Sequence, residues 1–216
     1  MTIQLSAFRW VPPFAQGYVR DLRIRWALEE AGLPYEVVLI DPPTQASADY
    51  RRWQPFGQVP AYRDEAVEIF ESGAIVLHLA ERSEALAPTD PARRARVTTW
   101  VIAALNSIEP HAQALIQLAE FHAGEPWADA QRPEAQALVD QRLSALAQVL
   151  GDKDWLEGRF TAADILMVCV LRELVGCGAL AAHPTLDAYR QRGEARPAFQ
   201  KSLEDQLRTF RENAPA

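Results

Sequence analysis

The first stretch with chemical potential is QVPAY, residues 58–62, where a proline stands at the start of a short predicted strand. Proline has no N–H and cannot donate to a strand ladder. X-Pro bonds also adopt the cis form easily, at about 0.5–1 kcal/mol. A cis Val59–Pro60 bond would turn the chain sharply and leave the N–H and C=O of Val59 without a sheet partner. Such an edge can pair with another peptide backbone, although a tight turn without a ligand fits the same residues.

A second stretch, Glu71-Ser72, begins the predicted helix SGAIVLHLAER. Free amides and the helix dipole favour an anion at the start of a helix. Ser72 would offer its hydroxyl and N–H to a ligand carboxylate, and Glu71 would offer a carboxylate to a ligand ammonium. A carboxylate beside an ammonium is the α-amino-acid end of a molecule. Together with the edge at Val59, the pattern predicts a site for a γ-glutamyl peptide.

The elements that must position these residues fall into two parts with different sequence patterns. Residues 1–83 predict strand, helix, strand, helix, strand, strand and helix, which indicates an α/β domain with a mixed four-stranded sheet. The proline-bearing residues 84–91 predict a linker. Residues 92–216 predict an all-α helical bundle. The five helical patterns of the bundle cover residues 92–122, 133–150, 161–180, 184–193 and 197–210.

The segment GRFTAADIL contains a capping box, with Thr161 at the N-cap and Asp164 three residues later. An aspartate that opens an otherwise apolar helix should be buried and should accept hydrogen bonds from backbone donors. We therefore interpret Thr161 and Asp164 as structural residues rather than catalytic ones.

Composition excludes several classes of partner. The net charge is −7, with 29 acidic and 22 basic side chains, so no nucleic-acid binding is expected. We find neither a signal peptide nor a run of about 18 apolar residues, so we expect a cytoplasmic protein without a membrane partner. Cys169 and Cys177 form no redox or zinc motif, and the histidines show no i, i+4 pairing, so no metal is expected.

Five segments carry a resemblance to one family. The segments are RIRWALEEAGLPYE, PFGQVPAY, ESGAIVLHLAE, the linker with ALNSIEP, and FTAADIL. In this order and spacing, the chain resembles the cytosolic glutathione transferases over essentially its whole length. The resemblance implies a thioredoxin-like N-terminal domain, an all-helical C-terminal domain and usually a homodimer. It also implies a detoxification enzyme that conjugates the thiolate of glutathione, its co-substrate, to small electrophilic molecules.

The same resemblance assigns roles to the two stretches described first. It implies that Val59, at the edge formed by Pro60, pairs with the cysteinyl backbone of glutathione. Glu71 and Ser72 would hold its γ-glutamyl end. Gln58 stands where the family often places a lysine or glutamine near the glycyl carboxylate.

The group that activates the thiol is left open by the sequence. The family lowers the thiol pKa from about 8.5 with a serine, cysteine or tyrosine between the first strand and first helix. Here that region, FRWVPPFAQGYVRDLR, has no cysteine and no serine after Ser6, which lies too early in the strand. Tyr18 falls at the position of the serine-type enzymes and is the first candidate. Arg9 or Arg20 could act by charge, and so could backbone amides of the first helix.

Other residues are candidates for the electrophile site. Two lie in the loop after the first strand, and four lie on the first bundle helix, where the same spacing also fits core or dimer interface. They are Trp10, Phe14, Trp100, Ala104, Ser107 and His111.

Two alternatives remain beside the transferase. The missing serine or cysteine leaves room for a non-catalytic member that binds glutathione, other ligands or proteins. A specialised glutathione-dependent isomerase or dehalogenase is the other alternative, although the lack of a cysteine near the first helix argues against thiol-disulfide chemistry.

Overall fold

The computed structural model describes residues 2–215, so the end residues 1 and 216 of the predicted domains lie outside the described part. The chain divides into two compact units. One unit holds the residues up to Leu86 together with those from Arg196 onward, and the other holds Ala87–Ala195.

The first unit is built on a four-stranded mixed sheet in the order β2-β1-β3-β4, which confirms the predicted fold class. β1 pairs with β2 in parallel and with β3 in antiparallel, and β3 pairs with β4 in antiparallel. A parallel neighbour requires a crossover, which the first helix supplies. The strands are β1 (Ile3–Phe8), β2 (Tyr35–Ile40), β3 (Ala61–Arg63) and β4 (Glu68–Phe70).

The register of the sheet determines which loops meet. Leu5 of β1 lies opposite Tyr62 of β3, and Ala61 of β3 lies opposite Phe70 of β4. Because both pairs are antiparallel, the end of β1, the start of β3 and the end of β4 lie at the same end of the sheet. At this end of the sheet lie the loop after β1, the Val59–Pro60 segment and the start of the next helix, at Ser72.

Ten α-helices accompany the sheet in the described residues. They are α1 (Asp21–Ala31), α2 (Pro42–Ala46), α3 (Ala48–Trp53), α4 (Ser72–Glu81), α5 (Pro91–Ala103), α6 (Glu109–Ile116), α7 (Pro126–Leu150), α8 (Ala162–Glu173), α9 (Pro184–Glu194) and α10 (Pro197–Glu212). Short 3₁₀ turns lie at Pro13–Ala15 and Ala179–Ala182, and π-helical segments lie at Ala104–Ile108 and Gln117–Phe121. None of these helices has both the length and the apolar composition needed to cross a bilayer.

The last helix belongs to the unit that contains the sheet, and this grouping differs from the predicted domain range 92–216. The Phe199 ring of α10 meets the Trp26 ring of α1 edge-on, with centroids 4.9 Å apart. Gln206 of α10 is buried and donates to the Asp21 carboxylate at 2.7 Å. α10 is strongly amphipathic, and its apolar face is satisfied by α1 rather than by the neighbouring helices in sequence.

The regular elements described in the second unit are all helices, joined by loops, as predicted. Two predicted boundaries are wrong. α7 begins at Pro126 instead of 133, and it continues through Pro133, which lies inside the helix. α8 ends at Glu173 instead of 180, before the glycine-containing stretch that leads to the 3₁₀ turn.

α8 begins with the predicted capping box. Thr161 N donates to Asp164 Oδ2 at 2.8 Å, and the Asp164 backbone N–H donates to the Thr161 side chain in return, which completes the motif. Asp164 Oδ1 accepts from Leu156 N at 3.0 Å and from Tyr189 Oη at 2.8 Å. The carboxylate is fully buried, and each of its oxygens has donors from the chain itself.

Candidate functional site

The loop between α3 and β3 is held by side chains of α2 and α3. Three of them donate to loop carbonyls: Gln45 Nε2 to Gly57 (2.6 Å), Arg51 Nη1 to Pro55 (3.0 Å) and Tyr50 Oη to Gln58 (2.5 Å). Because these carbonyls are already paired, the loop keeps one shape up to the residue before Val59.

Val59 follows this fixed segment, and the Val59–Pro60 bond is cis. The residue is only 7% exposed because its side chain packs with Ile40, Tyr50 and Trp53. In the described part of the chain, the N–H of Val59 donates no hydrogen bond and its C=O accepts none. The next amide, that of Ala61, donates to Ser6 Oγ at 2.7 Å. The loop thus pairs the backbone groups on both sides of Val59–Pro60 and leaves those of Val59 unused.

Glu71 and Ser72 lie beside this segment, because Ala61 pairs with Phe70 across the β3–β4 hairpin. Glu71 is exposed and has φ 71° and ψ 119°, a positive φ that side-chain-bearing residues rarely adopt. Such a conformation stores about 1–3 kcal/mol and is found mostly at functional sites. The side chain of Glu71, the N-cap residue of α4, makes no capping hydrogen bond.

Ser72 is buried and its hydroxyl oxygen accepts from Nη1 of Arg23 at 3.2 Å. Arg23 is itself buried in α1, so this bond ties the start of α4 to the first helix. The guanidinium also places positive charge behind the serine, which adds to the attraction of the helix start for an anion.

The loop after β1 carries the candidate activators of a bound thiol. Tyr18 is 45% exposed, and its N–H donates to Ala15 O at 3.1 Å. Arg20 is the exposed N-cap residue of α1 and provides no side-chain cap. Arg9 is exposed and donates to Asn213 Oδ1 at 3.4 Å. A phenol, a guanidinium and the first amides of α1 thus remain three separate candidates, as the sequence left them.

The buried carboxylate of Asp21 stabilises the first turn of α1. Asp21 Oδ2 accepts from Arg25 Nε at 2.7 Å, and Asp21 Oδ1 accepts from Gln206 Nε2. Burial raises the pKa of Asp21, although the neighbouring Arg25 acts in the opposite direction. Gln206 also donates to Val19 O at 3.1 Å, so α10 fixes the turn that carries Tyr18.

The electrophile-site candidates are distributed over both units and stay predictions. Trp10 is partly buried and Phe14 is exposed, and both lie in the loop after β1. On the bundle helix the π-helical segment interrupts the α-helical spacing, so Ala104 is fully buried whereas Ser107 is exposed. Ala104 and Ser107 thus differ in exposure to solvent. The remaining pair, Trp100 and His111, is partly buried.

Sequence reasoning missed the residues that support the edge. Tyr50 and Ser6 contact each other across 44 positions, and no short motif signals such a pair. Arg51 and Gln45 were likewise invisible, since a loop carbonyl has no sequence signature. The only available hint was a tyrosine on the inner side of the short helix SADYRRW.

Comparisons with known proteins agree with this geometry. The glutathione S-transferase N-terminal domain model matches residues 15–81, and the C-terminal domain model matches residues 109–197. Glutathione S-transferase 3 of Zea mays is 30% identical over 84% of this chain and 87% of its own length. Maleylacetoacetate isomerase of Pseudomonas aeruginosa is 31% identical over 83% of this chain and 89% of its own.

The chain is also similar to a solved glutathione transferase structure. A glutathione transferase from Burkholderia graminis, crystallised with two glutathione molecules per subunit, is 26% identical. It covers 94% of this chain and 88% of its own, with a TM-score of 0.80. Within residues 2–215, no group of three or more histidine, cysteine, aspartate or glutamate side chains could hold a metal ion.

Proposed function

We propose that this chain, which belongs to the glutathione S-transferase family, conjugates glutathione to small electrophilic molecules. Glutathione would be a co-substrate, and the reaction would need no metal. The proposal includes an N-terminal glutathione-binding domain over residues 1–83, a linker over 84–91, and an electrophile-binding helical domain beyond it. It also includes a cytoplasmic homodimer.

The observation that carries the proposal is the backbone of Val59. Its N–H and C=O are unused by the described residues, while the neighbouring carbonyl of Gln58 and amide of Ala61 are both paired inside the chain. A buried residue with an available donor and acceptor fits the antiparallel pairing of an extended peptide. The cysteinyl residue of glutathione would occupy this position, which leaves Gln58, exposed beside it, for the glycyl carboxylate.

The γ-glutamyl end would lie at the start of α4. There the amides of the first turn, the Ser72 hydroxyl and the charge of Arg23 favour a carboxylate. The exposed Glu71 side chain, which makes no capping bond, is available for the ammonium. The positive φ of Glu71 supports this role, because strained residues persist where function requires their position.

The chemical step follows from these positions. The bound thiol loses its proton to solvent, and the thiolate is stabilised by the Tyr18 phenol, the Arg20 charge or the first amides of α1. The sulfur lone pair then forms a C–S bond with the electrophilic carbon. With a halogenated aromatic substrate, the C–halogen bond breaks and the halide leaves with its electrons. Proximity of the bound reactants supplies much of the acceleration.

The test begins with calorimetric titration of glutathione into the protein. It continues with conjugation assays on halogenated aromatic electrophiles, read by halide release and loss of free thiol in equal amounts. We expect saturable binding and turnover; absence of heat on titration would overturn the proposal. Tyr18→Phe identifies the activator: a raised pKa in the pH profile of kcat assigns the phenol, and an unchanged profile excludes it.

An isomerase is the second candidate, and the similarity to the maleylacetoacetate isomerase favours it. In an isomerisation by this chain, the glutathione thiolate would add to a cis double bond and leave again after rotation, so no thiol would be consumed. A cis-enedione substrate followed by its ultraviolet spectrum distinguishes the two activities. Glutathione binding without either turnover would instead identify a non-catalytic binding protein.

A further inference from the structure

Four groups form a continuous hydrogen-bonded chain beneath the proposed glutathione edge. Ala61 N lies 2.7 Å from Ser6 Oγ, Ser6 Oγ lies 2.9 Å from Tyr50 Oη, and Tyr50 Oη lies 2.5 Å from Gln58 O. We call these four groups the hydroxyl relay. It begins one residue after Pro60 and ends one residue before Val59, so it connects the backbone groups on the two sides of the Val59–Pro60 bond.

Only one arrangement of hydrogens satisfies the hydroxyl relay. The Ala61 amide can only donate, so Ser6 Oγ accepts from it. The Gln58 carbonyl can only accept, so the single hydrogen of the Tyr50 hydroxyl goes to it. The hydrogen between the two side chains must therefore come from Ser6. Each hydroxyl donates once and accepts once, and reversing any bond would leave two groups unpaired.

Burial makes the hydroxyl relay strong. Ser6 has no exposed surface and Tyr50 is 4% exposed, so water does not compete for the bonds. Burial also raises the pKa of Tyr50, although the hydrogen bond from Ser6 acts in the opposite direction. A neutral phenol is the form that can donate to Gln58.

Both side chains stand on regular structure. Ser6 lies within β1, and Tyr50 lies in α3, where its own N–H donates to the N-cap hydroxyl of Ser47 at 3.1 Å. The Tyr50 ring also packs in the same apolar cluster as the Val59 side chain. The hydroxyl relay thus connects a strand and a helix to the two backbone groups that flank Val59–Pro60.

We infer that Tyr50, acting with Ser6, is a positioning residue that sets the Val59 amide and carbonyl at the spacing an extended γ-glutamyl peptide requires. This inference rests on the proposed function, since it assumes that glutathione pairs with Val59. Tyr50 touches no ligand in this role and acts through the backbone of Gln58. Its hydroxyl matters for glutathione binding and not for the stability of the thiolate.

Tyr50→Phe tests the inference, because it removes two hydrogen bonds and keeps the ring. We expect the Kd and KM for glutathione to rise about tenfold, which corresponds to about 1.4 kcal/mol, with kcat within about twofold of wild type. Ser6→Ala should raise KM similarly. The double variant should add little to either single change, because the two hydroxyls act through one chain of bonds.

Tyr62→Phe is the matched control. Tyr62 is also a buried tyrosine, on β3, but its hydroxyl donates to Asp64 Oδ2 at 2.7 Å, away from the relay. We expect this variant to lose stability without a change in Kd for glutathione. Amide hydrogen exchange in the absence of glutathione should quicken at Ala61 in Tyr50→Phe and remain as in wild type in Tyr62→Phe.

The outcomes separate the inference from the proposed function. If wild type binds glutathione and Tyr50→Phe keeps its Kd and KM, the positioning role is overturned and the proposed function stands. If Tyr50→Phe lowers kcat instead of raising KM, the positioning role is also overturned. If wild type fails to bind glutathione, both the proposed function and the role of Tyr50 in glutathione binding are overturned.

Discussion

Two helices of this protein begin in opposite ways. At α8, the Asp164 carboxylate accepts from Thr161, Leu156 and Tyr189, so both of its oxygens are satisfied within the chain. At α4, the N-cap residue Glu71 makes no side-chain cap and has φ 71°. At the start of α8 the capping groups are satisfied by hydrogen bonds within the chain. The start of α4 instead retains backbone N–H groups without partners and a residue with a strained conformation.

This difference distinguishes a polar residue that stabilises the fold, Asp164, from Glu71, which we propose binds a ligand. A buried carboxylate costs free energy unless donors surround it, and Asp164 has them. A strained, exposed residue such as Glu71 lowers stability and persists only where its position is needed. An acidic residue at the start of a helix can therefore raise the stability of the fold, as at Asp164, or lower it, as at Glu71. Mutation of each residue distinguishes the two effects.

The largest effect is expected from Asp164→Ala. It leaves the Tyr189 hydroxyl and the amides of Leu156 and Thr161 buried without an acceptor, so the free energy of unfolding should fall by about 3–4 kcal/mol. Urea unfolding measures the loss, and Asp164→Asn, which keeps one acceptor oxygen, should lose less. A loss below about 1 kcal/mol would mean that the two helix starts do not differ as described.

Ser72→Ala should produce the opposite profile. If Ser72 binds the γ-glutamyl carboxylate as proposed, removal of its hydroxyl should raise the Kd for glutathione about tenfold to hundredfold. The free energy of unfolding should fall by about 1–2 kcal/mol, less than in Asp164→Ala, because one buried bond from Arg23 is lost. Ser202→Ala is the matched control, because Ser202 is a buried serine whose hydroxyl donates to Ala198 O within α10. An equal effect of both variants on Kd would contradict the assignment of Ser72.

Glu71→Gly should increase stability while weakening binding. Glycine adopts positive φ freely, and the relief of about 1–3 kcal/mol exceeds the ~0.4–1 kcal/mol that glycine adds to unfolded-chain entropy. We expect a net gain of about 1 kcal/mol in thermal or urea unfolding. Glu71→Gln should weaken glutathione binding without that gain. A destabilised glycine variant would show that the conformation is not strained.

The smallest effect concerns Asp64, a third polar residue, in the turn between β3 and β4. Burial alone would raise the pKa of Asp64, but hydrogen bonds from Tyr62 and from the amides of Ala66 and Val67, together with His78 Nε2 at 3.5 Å, lower it overall. Its folded pKa therefore lies below the unfolded value of about 3.9. Its contribution is present above that pH and is lost as the pH falls through the folded pKa.

Acid titration of stability checks this assignment. The free energy of unfolding should fall between about pH 5 and pH 2 in wild type, and less steeply in Asp64→Asn. An identical slope in both proteins would show that Asp64 has no lowered pKa. Asp164, whose pKa burial raises despite its donors, should not contribute to the same acid loss.

Local signals in the sequence predicted much of this structure. The alternation of β1, the glycine C-cap of α1 at Gly32 with φ 65°, and the capping box of α8 are all formed by residues within a few positions of one another. Proline misled the prediction at one place. The predicted helix begins at residue 133, whereas α7 begins at Pro126 and continues through Pro133.

By itself, the sequence determined the order of the elements, the mixed sheet, the family resemblance and the positions of Val59, Glu71 and Ser72 as candidates. Only the tertiary structure decided that α10 packs on α1, and that Ser6 and Tyr50 support the Val59 edge from elements 44 positions apart. The physical reason is the separation along the chain over which each interaction acts. Periodicity, capping and proline geometry act over a few residues, whereas a buried hydrogen bond acquires its partner only when distant segments pack together.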